Sequence, residues 1–232
     1  MRNGTKFSPR QIAFAGLLGA VTVVLGSTPL GFIQIPPISI TIMHVPTILA
    51  GVLQGPVIGG IVGAMFGGFS MWQAQTSVNP LDKVIFSNPL IAVLPRILIG
   101  VVAHYVFRMA RGKTGETALV LTSASMLGYT GYSFLGALAP AARGAVALAI
   151  AVAAGLTVIA VQKRSGHGPA LAAAVGSLTN TVLVLGLIVW FGFLPGKVAL
   201  TVGIVNGIPE AAVAMILTGL VYRATGKFVE DR

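Results

Sequence analysis

Five polar residues interrupt long apolar runs in this chain: His44, Arg96, Asn180, Asn206 and Glu210. Arg96 carries the strongest chemical signal. An ionised group inside a membrane span costs at least about 2.5 kcal/mol, so it normally faces the bundle interior or a cavity. Its guanidinium can grip a carboxylate through two parallel hydrogen bonds. The competing reading is an internal Arg96–Glu210 ion pair that only joins two helices, and the two agree if the pair opens to admit an anion. Asn180 and Asn206 offer donors and acceptors to amides and hydroxyls, or tie helices together. His44 precedes Val45-Pro46, where a proline leaves a helix carbonyl for a neighbouring polar group to satisfy. It therefore reads first as structural. Gln75 and Asn79 lie in the polar segment Gln73–Asn88, just after Trp72, and Asn79-Pro80 marks a turn there. His104 and His167 read as structural or solvated.

The missing motifs are as informative. No phosphate-binding loop, HExxH, paired carboxylates or serine elbow is present. There is no cysteine and there are five acidic residues, two of them in the C-terminal tail. No catalytic residue, metal or cofactor is expected, the chain is not read as an enzyme, and nothing in it could hydrolyse ATP. A small bundle with a polar pocket and no engine reads as a substrate-binding membrane subunit.

The elements that must position these residues are membrane helices. The 232 residues are 55% hydrophobic and 9% charged, with a mean hydropathy of +0.92. Apolar runs near 20 residues, continuous rather than alternating, predict several spanning helices. The expected fold is all-α, a polytopic helical bundle in one membrane domain, 1–232. No cleavable signal peptide is expected, because the first apolar run leads directly into the bundle. The spans are placed at about Gln11–Ser27, Ile38–Gln54, Pro56–Trp72, Pro89–Met109, Pro169–Phe193 and Val198–Tyr222. A further hairpin is expected within 117–162, its two arms Thr117–Ala139 and Gly144–Gln162. Between Ile38 and Trp72 no Lys, Arg, Asp or Glu occurs, and Gly51, Gly55, Gly59, Gly63 and Gly67 recur every four residues. That spacing puts small residues on one helical face, where backbones can approach closely in lipid. Ala15, Gly16, Gly19 and Ala20 offer a similar face on the first span.

Charge placement supplies the sidedness. With the N-terminus inside, inner segments carry Arg2, Lys6, Arg10, Arg108, Arg111, Lys113, Lys163, Arg164, Arg223, Lys227 and Arg232; outer loops carry only Lys83, Arg143 and Lys197. This bias places both termini in the cytoplasm, and it explains the net charge of +10 without nucleic acid. In that orientation the five polar residues all reach the outer half or the midplane.

Four segments together resemble the substrate-binding S component of energy-coupling factor (ECF) vitamin transporters. They are ITIMHVPTILAGVLQGPVIGGIVGAMFGG (Ile40–Gly68), NPLIAVLPRILIGVVAHYVF (Asn88–Phe107), GSLTNTVLVLG (Gly176–Gly186) and VNGIPEAAVA (Val205–Ala214). The pattern looks most like the pantothenate type. The resemblance implies a vitamin site opening outside, a transmembrane T component and two cytoplasmic ATPases as partners in the bilayer, and docking on the T component through Ala15, Gly16, Gly19 and Ala20. The family core has six helices, occupying about 11–109 and 169–222 here, so the hairpin at 117–162 is a departure. The family's metal-ion branch uses histidine near the N-terminus, whereas this chain begins Met1-Arg2-Asn3-Gly4. The expected function is capture of a vitamin outside the cell for ATP-dependent uptake, pantothenate preferred. Arg96 would meet its carboxylate, and Asn180, Asn206 and Gln75 its hydroxyls and amide; Trp72, His44, Asn79 and Glu210 complete the expected site. Folate and riboflavin are the alternative vitamins. A proton-coupled secondary transporter using Glu210 is the alternative of another class.

Overall fold

A computed structural model describes residues 7–35, 38–110, 125 and 168–225, with residues 32–35 and 38–40 described by their backbone alone. The expected hairpin within 117–162 lies outside the described residues. So do Arg2, Lys6 and the C-terminal tail, whose charges entered the sidedness argument.

The first helix, α1, spans Pro9–Ser27. A capping box starts it: Gln11 N donates to Ser8 Oγ at 3.2 Å and Ser8 N donates to Gln11 Oε1 at 3.0 Å, satisfying two otherwise orphan helix donors. The second expected span is only half helical. Residues Phe32–Ile35 (β1) and Ile38–Thr41 (β2) form an antiparallel hairpin, with Phe32 opposite Thr41 and Ile35 opposite Ile38. Helix α2 then runs Val45–Gln54, with His44 as its N-cap residue. The β-branched run Ile38, Ile40, Thr41 suits an extended chain. Pro46 sits in the first helical turn, where its missing N–H costs nothing. It starts this helix instead of leaving a carbonyl bare inside one, as the sequence reading had it.

Gly55, at φ 99°, closes α2 and opens α3, Pro56–Thr76. Short helices α4 (Pro80–Phe86) and α5 (Pro89–Ala92) lead to α6, Leu94–Met109. Beyond the undescribed segment come α7 (Gly168–Trp190), α8 (Gly196–Val202), a π-helical turn at Gly203–Gly207, and α9 (Ile208–Thr225). Among the described residues, five stretches are long and apolar enough to cross a membrane: Pro9–Ser27, Pro56–Thr76, Pro89–Met109, Gly168–Trp190 and Gly196–Thr225. The shorter α2 and its hairpin make a sixth element. Large apolar side chains such as Leu17, Val24, Val182, Leu200 and Leu220 point outward, as the lipid-facing side of a polytopic helical bundle requires.

The bundle has two poles. One carries the β-hairpin, the other the Gly55 turn. Near the Gly55 pole, α2, α3 and α6 meet through glycine. A Cβ on Gly51 would lie 2.1 Å from Gly100 O, and one on Gly100 would lie 2.5 Å from both Gly59 C and O. The four-residue glycine period is thus used for backbone-to-backbone packing. His104 Nδ1 donates to Gly51 O at 3.0 Å and ties α6 to α2 at the same level. Around this seam Ile48, Leu49, Val52, Ile99, Ala103, Phe107, Ala172, Ala173 and Ala214 form the main core.

The small residues of α1 divide between two faces. Ala15 and Gly19 are buried toward α3, and a Cβ on Gly19 would meet Met65 Cε at 2.2 Å. Gly16 and Ala20 point outward, and nothing lies within 4 Å of a Cβ on Gly16.

Candidate ligand-binding site

Arg96 is placed by its own neighbour. Proline has no N–H, so Pro95 cannot donate to Ile91 O four residues earlier. Arg96 Nη1 donates to Ile91 O instead, at 2.7 Å. The same proline interrupts the expected single span Pro89–Met109, which appears as α5 and α6 with Val93 between them. The guanidinium lies over two phenyl rings, 5.6 Å from the centroid of Phe66 and 5.3 Å from that of Phe86. Both distances are within cation–π range. Arg96 is 7% exposed, and its Nε is buried without a hydrogen-bond partner.

Other polar atoms in the same region also lack partners. His44 Nε2, Thr47 Oγ1, Ser177 Oγ and Asn180 Oδ1 are all buried and unbonded. Packing contacts set their depth: Gly63 lies against Arg96 O, Gly176 against Ile48 and Ala103, and Gly207 against Thr181. These contacts place Thr47, Arg96, Ser177, Asn180, Asn206 and Glu210 within about two helical turns along the bundle axis. Native interiors leave few buried polar atoms unpaired, and each such group calls for a reason. Most of the unpaired atoms lie toward the β-hairpin, and Thr218 Oγ1, about two turns beyond Glu210 on α9, is buried and unbonded as well.

Glu210 does not form the direct ion pair considered from sequence. Its Oε1 accepts from the Thr41 backbone N–H at 2.9 Å, so it fastens the end of β2 to α9. Arg96 remains close enough to Glu210 and His44 for their charges to interact. Asn206 is half-buried in the π-helical turn. That turn precedes Pro209, whose missing N–H breaks the regular ladder.

The remaining expected residues lie toward the rim of the hairpin pole. Trp72 is 62% exposed, with its ring 5.5 Å from that of Phe69. Gln75 is exposed and its Nε2 donates to Ser87 Oγ at 2.8 Å. Asn79 caps α4, its Oδ1 accepting from Leu81 N at 3.1 Å. Sequence reasoning passed over Phe66, Phe86, Thr47 and Ser177. Phe86 sits within the polar segment that drew attention, but an apolar residue there carried no signal of its own. Thr47 lies one helical turn beyond His44, and Ser177 one turn before Asn180, so the i, i+3 spacing could have found both.

An apolar groove of about 480 Å³ runs between α7 and α8, lined by residues such as Leu178, Val182, Leu185, Leu200 and Ile204. Thr181 lines it, but His44, Thr47, Arg96, Ser177, Asn180, Asn206 and Glu210 do not. Among the described residues no group of three His, Cys, Asp or Glu could hold a metal ion.

Among the described residues, the membrane bundle encloses a buried arginine amid unpaired polar atoms. Residues 10–222 match the family described as "ECF transporter, substrate-specific component", and the chain belongs to that family. It is a transport component and not an enzyme. A stretch of 91 residues is 31% identical to the pantothenate transporter PanT of Leuconostoc mesenteroides subsp. mesenteroides. That stretch covers 39% of this chain and 44% of the relative.

Proposed function

We propose that this chain captures pantothenate outside the cell and delivers it through an ECF complex containing a transmembrane T component and two cytoplasmic ATPases. The observation that carries the reading is Arg96: buried, held on Ile91 O, and left with an unpartnered Nε. A buried cation with unused donor capacity favours a ligand carboxylate, through charge-assisted hydrogen bonds. Pantothenate has one carboxylate, plus an amide and hydroxyls suited to Asn180, Asn206, His44, Thr47 and Ser177. The likeness to a pantothenate transporter supports the same ligand.

In this reading Arg96 and Asn180 anchor the vitamin, while Glu210 holds the hairpin over the site. Trp72, Gln75 and Asn79 form its rim. The hairpin pole faces outside and both termini lie in the cytoplasm, as the distribution of Lys and Arg favours. Gly16 and Ala20 supply the outward part of the α1 face that meets the T component; Ala15 and Gly19 support it from within. The described helices form one membrane domain.

Calorimetric titration of the purified chain with a vitamin panel tests the proposal. Pantothenate should bind most tightly, ahead of folate and riboflavin, and failure of every vitamin to bind would overturn it. Vesicles containing this chain alone should show no proton-driven uptake; uptake there would favour a self-sufficient transporter instead.

A further inference from the structure

The guanidinium of Arg96 has five N–H donors arranged around a planar fork. Nη1 is committed to Ile91 O, and Nε is buried without an acceptor. The edge left for a ligand is therefore the side formed by Nε and Nη2. Two parallel hydrogen bonds from that edge match the two oxygens of a carboxylate. What prevents the side chain from turning this edge away is the pair of rings, Phe66 on α3 and Phe86 on α4. Phe66 is an interior residue at 4% exposure. Phe86 is only half-buried, on a seven-residue helix in the segment joining α3 to α5.

That helix is itself held in place. Asn79 caps it, and Ser77 Oγ donates to Asp82 Oδ2 at 2.8 Å. The loop therefore delivers one phenyl ring to the guanidinium from outside the main bundle. Phe86 touches Arg96, and its effect on a ligand runs through that contact.

We propose that Phe86 is a specificity-determining positioning residue: with Phe66 it fixes the guanidinium so that the Nε–Nη2 edge receives a carboxylate side-on. The protein then discriminates carboxylates from neutral isosteres through loop packing as well as through charge. This inference rests on the reading of Arg96 as the carboxylate anchor.

The test compares pantothenate with panthenol, which carries a hydroxymethyl group in place of the carboxylate. Dissociation constants for both are measured on the full chain as wild type, Phe86→Leu, Phe86→Tyr and Arg96→Gln. Wild type should favour pantothenate strongly. Phe86→Leu should cut that preference about tenfold, the scale of a desolvated cation–π contact, by weakening pantothenate and leaving panthenol unchanged. Phe86→Tyr, which keeps the ring face, should restore it. If Phe86→Leu weakens both ligands equally, or leaves the preference intact while Arg96→Gln abolishes it, the role of Phe86 is overturned and Arg96 remains the anchor. If Arg96→Gln leaves the preference intact, or pantothenate does not bind the wild type, the reading of Arg96 falls and this proposal with it.

Discussion

Gly100 and Arg96 lie one helical turn apart on α6 and share its tight backbone seam with α3, but their side-chain surroundings differ. At Gly100 three backbones press together so closely that a single added methyl group would collide with main-chain atoms of a neighbouring helix. The nearby His104 ring has its acceptor in Gly51 O. At Arg96 the bundle encloses polar atoms for which the protein supplies no partners. The Gly100 region derives its stability from close packing, which buried unpaired polar groups would weaken. In the proposed function, the Arg96 region keeps polar capacity in reserve, at a cost in stability that a ligand offsets by supplying the missing bonds. Binding sites commonly give up local consistency in this way, while the scaffold beside them keeps it.

The widest gap between the two regions should appear in paired substitutions. Gly100→Val places its side chain against Gly59 backbone, which has no flexible end to move aside. Overpacking of this kind costs about 1–3 kcal/mol or more. The variant should lose most monodisperse protein in size-exclusion chromatography and melt well below wild type. Normal yield and melting would remove the seam as the structural foundation. Arg96→Gln should act the other way: a normal elution profile, with pantothenate affinity reduced about 100-fold, as for loss of a buried charged anchor worth roughly 3 kcal/mol. Calorimetry measures this directly.

Smaller effects sharpen the contrast. Asn180→Leu removes one unpaired acceptor and should weaken pantothenate about fivefold to tenfold, the value of one hydrogen bond, with melting unchanged or raised. A fall in melting temperature with unaltered affinity would make Asn180 a helix tie. On α1, a side chain at Gly19 meets only the flexible end of Met65, so Gly19→Leu should lower the melting temperature of the isolated chain less than Gly100→Val. Gly16→Leu should leave both fold and pantothenate binding alone, and reduce co-purification with the T component. The smallest change is expected for Glu210→Gln, which keeps an acceptor for the Thr41 N–H. Pantothenate affinity should stay the same or rise a few-fold, within the range of screened charge effects; a large loss would give Glu210 a direct part in binding.

Much of this protein was legible without coordinates. Apolar runs near spanning length dictate membrane helices, because lipid leaves backbone groups no other way to be satisfied. Glycine at four-residue spacing dictates a close helix seam, because only a side chain reduced to hydrogen lets backbones touch. Arg96 stood out because a charge in an apolar run is too costly to be incidental.

Other features only the tertiary structure decided. Pro46 and Pro95 both stand second in their helices, yet Pro95 follows the short helix α5 and leaves Ile91 O for the arginine beside it. The local sequence shows a missing N–H in both cases; which carbonyl goes without it depends on where the helix begins. The strands Phe32–Ile35 and Ile38–Thr41 pair with each other, and apolar composition alone could not tell them from a helix. Whether Glu210 meets Arg96 or Thr41 N–H depends on how α9 docks beside β2. The two phenyl rings over Arg96 come from α3 and α4, 20 residues apart in sequence. Periodicity and transfer free energy are local properties and can be read along the chain. Partner choice among buried polar groups is a property of distance in space, and only the packed helices set it.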